Sequence, residues 1–179
     1  ESIPETFALQ NYTFTVKVIA TLSIPEALEL GMTKEHNTYT TDKYYVYGVI
    51  LAVTNTTYGN MTIVDEDGNE LTIYGSYDAT GATQYGSMTD KPVAGDYVKF
   101  LSVVGKYSGA AQLKNAWIME VSEASDEMKV AIECNNLEVS KNLTGAMNLD
   151  IATSGKLYSG VEISWEVVAG AEIASYEDG

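Results

Sequence analysis

The sequence predicts an all-β fold built around a five-stranded Greek-key barrel of the OB type, and three observations lead there. Apolar and polar residues alternate along most of its 179 positions. The alternating stretches are rich in Val, Ile and Thr and hold most of the 13 tyrosines, the residue types that fit a pleated, half-buried surface. Between Lys43 and Val121 the stretches fall in the order long strand, hairpin, irregular crossing, second hairpin, which suits a small closed barrel.

Tyr12 to Ala20 places Tyr12, Phe14, Val16 and Val18 on one face and is expected to be a strand, with residues 1–20 the end of a preceding domain. Ile24 to Leu30 reads as one short helix, with Ser23 as N-cap, Pro25 at an opening position and Gly31 closing it. Tyr44 to Val53 is a long strand in which Gly48 marks a bulge or bend. Asn60 to Asp65 and Glu70 to Tyr74 flank Asp67-Gly68-Asn69, a hairpin-turn signal. In that hairpin Met61, Ile63, Leu71 and Ile73 are expected to face the interior, leaving Asn60, Thr62, Thr72 and Tyr74 outside. Gly75 to Pro92 is irregular, and Tyr97 to Gly105 with Gln112 to Val121 forms a second hairpin around Tyr107-Ser108-Gly109. Residues 122–127 are small and polar and read as a linker. Beyond them Met128 to Val139, Ala146 to Thr153 and Gly160 to Val168 are expected to be strands, and Cys134, inside the first, a buried small hydrophobe.

Composition narrows the function classes. Twenty-five acids face ten bases, every base is Lys, and the net charge is −15. Binding to a phosphate backbone needs a cationic surface, and base readout leans on Arg forks, so the charge argues against nucleic acid as a partner. No apolar run approaches the ~20 residues of a membrane-spanning helix, so no membrane insertion by this chain is expected, and any lipid anchor lies outside it. The charge divides unevenly: residues 43–121 hold 8 acids and 5 Lys (net −3), residues 122–179 hold 11 acids and 3 Lys (net −8). That shift supports separate domains at 21–121 and 128–179.

The runs YYVYGVI (Tyr44 to Ile50), YGNMTIVDEDGNELTIYG (Tyr58 to Gly75) and AGDYVKFLSVVGKYSGAAQLKNAWI (Ala94 to Ile118), with SIPEALELG (Ser23 to Gly31) leading in, resemble OB-fold domains of secreted and surface lipoproteins from Bacteroides-type gut bacteria. The resemblance covers roughly residues 21–121. It implies an extracytoplasmic setting, at the cell surface or in the periplasm of a Gram-negative bacterium, and it implies no activity. Residues 128–179 look like the start of a bacterial immunoglobulin-like sandwich, with Trp165 at the place of a core Trp. That sandwich is expected to be incomplete, because about four strands fit where a whole one takes about seven.

Asp65 to Glu70 is acidic enough to suggest calcium, yet Ser76 stands where an EF-hand loop needs its bidentate Glu. A hairpin turn explains the same residues. His36, alone in a polar loop, reads as solvated, and neither metal nor cofactor is expected. No nucleophile elbow, zincin, phosphate-loop or dinucleotide motif occurs, and a barrel filled by its own side chains leaves little room for a glycosidase cleft, so no enzyme activity is expected. OB barrels bind ligands on the face of their second and third strands and at two loops. Here those elements offer Tyr58, Asn60, Thr62, Thr72 and Tyr74, with Lys106, Tyr107, Gln112 and Lys114 opposite. Tyrosines among amides and hydroxyls suit stacking on a sugar or a base. The expected function is a non-catalytic binding or spacer module of a secreted or surface protein, with a glycan or a protein surface as ligand. The alternatives are a single-strand nucleic-acid-binding domain and an accessory domain of an enzyme whose catalytic part lies elsewhere.

Overall fold

The computed structural model describes residues 18–137 and 151–166. In chain order they form β1 (Thr21–Leu22), α1 (Ile24–Met32), β2 (Thr38–Tyr39), β3 (Tyr44–Asn55), β4 (Asn60–Val64), β5 (Glu70–Tyr77), a 3-10 turn (Tyr85–Ser87), β6 (Asp96–Tyr107), β7 (Ala110–Glu123) and α2 (Asp126–Asn135). The mixed sheet runs β1-β3-β4-β5-β7-β6-β2, and β3 also pairs with β6. Five strands therefore close into a ring, β3-β4-β5-β7-β6, in the order of an OB barrel, with β5 and β7 parallel and the other ring pairs antiparallel.

Alternation fills the interior as expected. Met61, Ile63 and Ile73 are fully buried, Leu71 nearly so, and Val46, Ile50, Phe100 and Leu113 join them. The β4–β5 turn holds because the Asp65 carboxylate accepts the N–H groups of Asp67 (3.1 Å) and Asn69 (2.8 Å) and the Asn69 side-chain amide. Gly68 meanwhile takes the positive φ (81°) that the turn requires.

Helix α1 plugs one end of the barrel with Ile24 and Ala27. Ser23 caps it in a reciprocal capping box with Glu26. It runs two residues past Leu30, and Gly31 lies inside it instead of closing it: a Cβ at Gly31 would stand 2.6 Å from the Ala111 Cβ and 2.8 Å from the Gly105 carbonyl. The glycine permits close packing on the barrel, and Thr33 is the C-cap. Gly48 likewise makes no bulge. It pairs regularly with Val98 and leaves room for Ile24 and Ile63, while the register shifts of β3 fall between Ile50 and Ala52 and between Val53 and Asn55.

The C-terminal part differs from expectation. β7 continues to Glu123 and α2 begins at Asp126, so residues 122–127 are the end of a strand and the start of a helix, not a linker. Met128 to Asn135 is helical where a strand is expected. Ser125 accepts the Met128 N–H, and Asp126 and Glu127 favour the positive helix start, so a capped acidic turn outweighs the apparent alternation. Cys134 is consequently exposed on α2. α2 covers the outside of β3 and β4, where Val49, Val64, Ala124 and Ile132 form a second buried cluster with Tyr97, Met128 and Tyr158 packed around it. In residues 151–153 and 160–166 there is no strand, only an isolated Ser154–Glu162 bridge, and the half-buried Trp165 donates its indole N–H to the Ala152 carbonyl (2.6 Å). The rest of the expected sandwich strands, and residues 12–17 of the expected N-terminal strand, lie outside the described residues; 18–20 are not in a strand.

Candidate functional site

Covering β3 and β4 with α2 leaves the outer face of β5, β7 and their neighbours open. Register decides which side chains meet there. Thr62 pairs with Thr72, Thr72 with Gln112, and Gln112 with Gly105, which in turn pairs with Tyr39 of β2. One row thus crosses five strands. A second row sets Tyr74 beside Lys114 and Lys114 beside Val103.

Tyr39 ties the rows together. Gly105 has no side chain, and a Cβ there would stand 2.4 Å from the Tyr39 ring, so the ring lies across the strand. Its hydroxyl accepts a hydrogen bond from Gln112 Nε2 (2.5 Å), and the Lys114 ammonium sits 4.7 Å from its centroid. Sequence reasoning missed Tyr39, because a two-residue strand outside the barrel ring carries almost no periodic signal; the only hint is a Tyr between two Thr.

Of the nine expected residues, Thr62, Thr72, Tyr74, Gln112 and Lys114 share these rows. Tyr58 and Tyr74 are each 54% exposed, and the Tyr58 carbonyl accepts the Ser76 N–H (2.9 Å), which holds the β3–β4 turn against β5 beside Tyr74. Asn60 spends its amide oxygen on the Gly75 N–H (2.9 Å) and so shapes the edge of the face. Tyr107 is exposed at the β6–β7 turn and stacks on His36 (5.2 Å), whose Nδ1 accepts the Ser108 N–H (3.3 Å). His36 is thus engaged in the fold although it is exposed. Lys106 stands out of phase with Gly105 and Tyr107, and its ammonium donates to the Met32 carbonyl at the end of α1 (3.2 Å), an anchoring contact away from the rows.

The outer face continues toward β3 with more aromatic rings. The Lys43 ammonium lies 3.1 Å from the Trp117 centroid, and burial lowers its pKa. Lys99 sits over Tyr45 and Tyr47 and pairs with Glu120 (2.7 Å), a bond that raises its pKa. The loop after β5 is drawn onto Trp117 by Gly81. Asp78 fixes that loop through bonds with Thr83 and Thr80, which hold its carboxyl far below the usual carboxylate range.

Two concavities lie elsewhere. One, of about 750 Å³, runs between Gly95, α2 and residues 157–162, and several of its polar groups are already paired: Asp96 with the Val93 N–H, Lys129 with Glu123 and Asp126, Tyr158 with the Gly95 carbonyl. The other, of about 510 Å³, lies between the start of α1, Tyr47, Tyr97 and the Asp65–Asp67 turn. Among the described residues no group of three or more His, Cys, Asp or Glu could hold a metal ion, and no helix is long and apolar enough to cross a membrane. The open face itself supplies rings, hydroxyls and ammonium groups, the means to hold a polar ligand by stacking and hydrogen bonding, while the Gln112 amide is buried beneath Tyr39 and bonded to it. No protein-family model matches the chain, and no curated protein matches it as a relative.

Proposed function

We propose that the protein is a non-catalytic binding module of a secreted or cell-surface bacterial protein and that it holds a glycan on the outer face of β5 and β7. The observation that carries this reading is Tyr74, half exposed, standing between Lys114 on the next strand and Thr72 on its own, with the Thr72–Gln112–Tyr39 row beside it. A sugar ring offers C–H groups to an aromatic face and hydroxyls to hydroxyls and ammonium groups, the combination this surface presents. A protein partner would call for an apolar centre to the patch, which Thr62, Thr72 and Gln112 do not provide. A phosphate polymer meets a chain of net charge −15. The extracytoplasmic setting rests on the resemblance of the barrel segments to lipoprotein OB domains.

A glycan array probed with the intact chain, beside a single-stranded DNA titration at physiological salt, tests the proposal. Tyr58→Ala and Tyr74→Ala are each expected to weaken glycan binding about tenfold, the loss of a stacking contact. Binding that survives both substitutions moves the site elsewhere. Micromolar affinity for the DNA replaces the glycan with a nucleic acid.

A further inference from the structure

We infer that the glycan held on this face is anionic, and that Lys114, with Lys43, receives its acidic group. The inference rests on the binding reading above and names the ligand's chemistry. Of the eight described lysines, two are neutralised by carboxylates, Lys99 by Glu120 and Lys129 by Glu123 and Asp126. Among the described residues Lys114 and Lys43 are in no such pair. Both rest on ring faces instead, Lys114 on Tyr39 and Lys43 on Trp117. A ring holds an ammonium in place without neutralising it, so two oriented positive charges remain available.

Register brings them to one place. Tyr44 pairs with Ser102 and Val103 with Lys114, which puts Lys43 level with Val103 on the opposite side from Lys114. The two lysines flank one valine, two strand spacings or about 10 Å apart at the backbone, and both belong to the outer face with Tyr74 and Trp117. Glu70 is four residues along β5 from Tyr74, roughly 13 Å away, while Asp78, four residues the other way, is engaged within its loop by Thr80 and Thr83. The negative group of a ligand is therefore directed to the Tyr74–Lys114 end and kept from the Glu70 end. Two cations serve one or two acidic substituents on a sugar chain, whereas tracking a nucleic-acid strand takes a stripe of them.

The test titrates the intact chain with oligogalacturonate, alginate and hyaluronan fragments, each beside its carboxyl-reduced neutral twin. Chondroitin with and without sulfate and oligo(dT) are added, and all are measured at low and at physiological salt. An acidic form is expected to bind about tenfold tighter than its twin, the scale of one charge-assisted hydrogen bond. Salt should erode that preference. Lys114→Met should abolish it by weakening the acidic form far more than the neutral twin, Lys114→Arg should retain it, and Lys43→Met should reduce it. A Lys114-dependent preference for sulfated over unsulfated chondroitin also supports the inference and identifies the group as sulfate. Equal binding of acidic and neutral twins, untouched by Lys114→Met, overturns the anionic assignment and leaves the glycan face standing. Failure of every glycan, acidic and neutral, removes the glycan face and this inference together. Oligo(dT) binding at micromolar affinity transfers the two lysines to a nucleic acid and overturns it as well.

Discussion

Glu133 is 2% exposed, in a protein whose other described acids all reach solvent. Its side chain is surrounded by donors: Oε2 accepts the Lys156 N–H (2.7 Å) and Oε1 accepts those of Leu157 and Tyr158 (2.6 Å each). Gly155 makes the approach possible, since a Cβ there would stand 2.7 Å from the Glu133 carboxyl carbon. One carboxylate thereby fixes a turn more than twenty residues away against α2, and Tyr158 adds to it by donating its hydroxyl to the Gly95 carbonyl. Removing the carboxylate strands three backbone donors at once, so Glu133→Ala is expected to cost about 3 kcal/mol, the range for charged hydrogen bonds left unmade. Urea unfolding measures the loss, and amide exchange at Leu157 and Tyr158 should accelerate with it. A cost under about 1 kcal/mol, within the range of an ordinary surface change, would show that the turn is held by other contacts. Nothing in the sequence marks Glu133, because its partners are backbone groups whose position depends on where α2 docks.

At the scale of elements, α1 shows how far local chemistry carries. Ser23→Ala removes the oxygen that accepts the Glu26 N–H, an N-cap loss of about 1 kcal/mol. The Glu26 carboxyl pKa is lowered by hydrogen bonds from the Ser23 N–H and hydroxyl. A folded-state pKa below the unfolded one gives stability that is present above the unfolded value and lost as pH falls through the folded one. The gap between wild type and Ser23→Ala in thermal unfolding is therefore expected to be widest at neutral pH and narrower at pH values below the ordinary Glu range. A gap that does not change with pH would show that the bond from the Ser23 hydroxyl to the Glu26 carboxylate is idle, the N–H at position 23 being kept in the variant. The same local signals made most of the barrel legible. The turn Asp65 to Asn69, the phase of Met61, Ile63, Leu71 and Ile73, and the Ser23 cap are set by neighbours within a few residues, and each stands where the sequence places it. The misread elements are those where two local patterns compete. Met128, Val130 and Ile132 alternate, yet Met128 and Ile132 also sit one helical turn apart, and both pack on the barrel while Val130 is exposed. The Ser125 cap with its acidic first turn and the surface beneath α2 together decide between the two readings. The candidate site was legible on β4, β5 and β7, where alternation sets the face, and illegible at Tyr39 and Lys43, which reach it through β2 pairing with β6 and β3 pairing with β6.

For the whole molecule, the consequence of α2 is that the barrel and the residues C-terminal to it are one body in the described residues. Val49 and Val64 point outward from the ring and are 0% and 3% exposed because Ala124 and Ile132 cover them. A mobile linker at 122–127 would leave these valines in water, at a cost of about 2 kcal/mol each. The strand–helix junction also carries its own ties, with Lys129 bonded to both Glu123 and Asp126 (2.6 and 3.2 Å) and the Asn135 amide donating to the Glu66 carbonyl (2.8 Å). A glutamate-specific protease acting on the native protein is accordingly expected to leave the bonds after Glu123 and Glu127 intact. Cutting at such sites requires local opening, whose rate depends on the stability of the cluster. Ile132→Asp places a charge in that cluster and should release α2, so cleavage at Glu123 and Glu127 should rise at least tenfold while the barrel keeps its β-sheet circular dichroism. Prompt cleavage of the wild type at those two glutamates would restore the linker and separate the barrel from the rest. Their protection, lost in Ile132→Asp, would show that α2 is docked on the β3–β4 side of the barrel through this cluster.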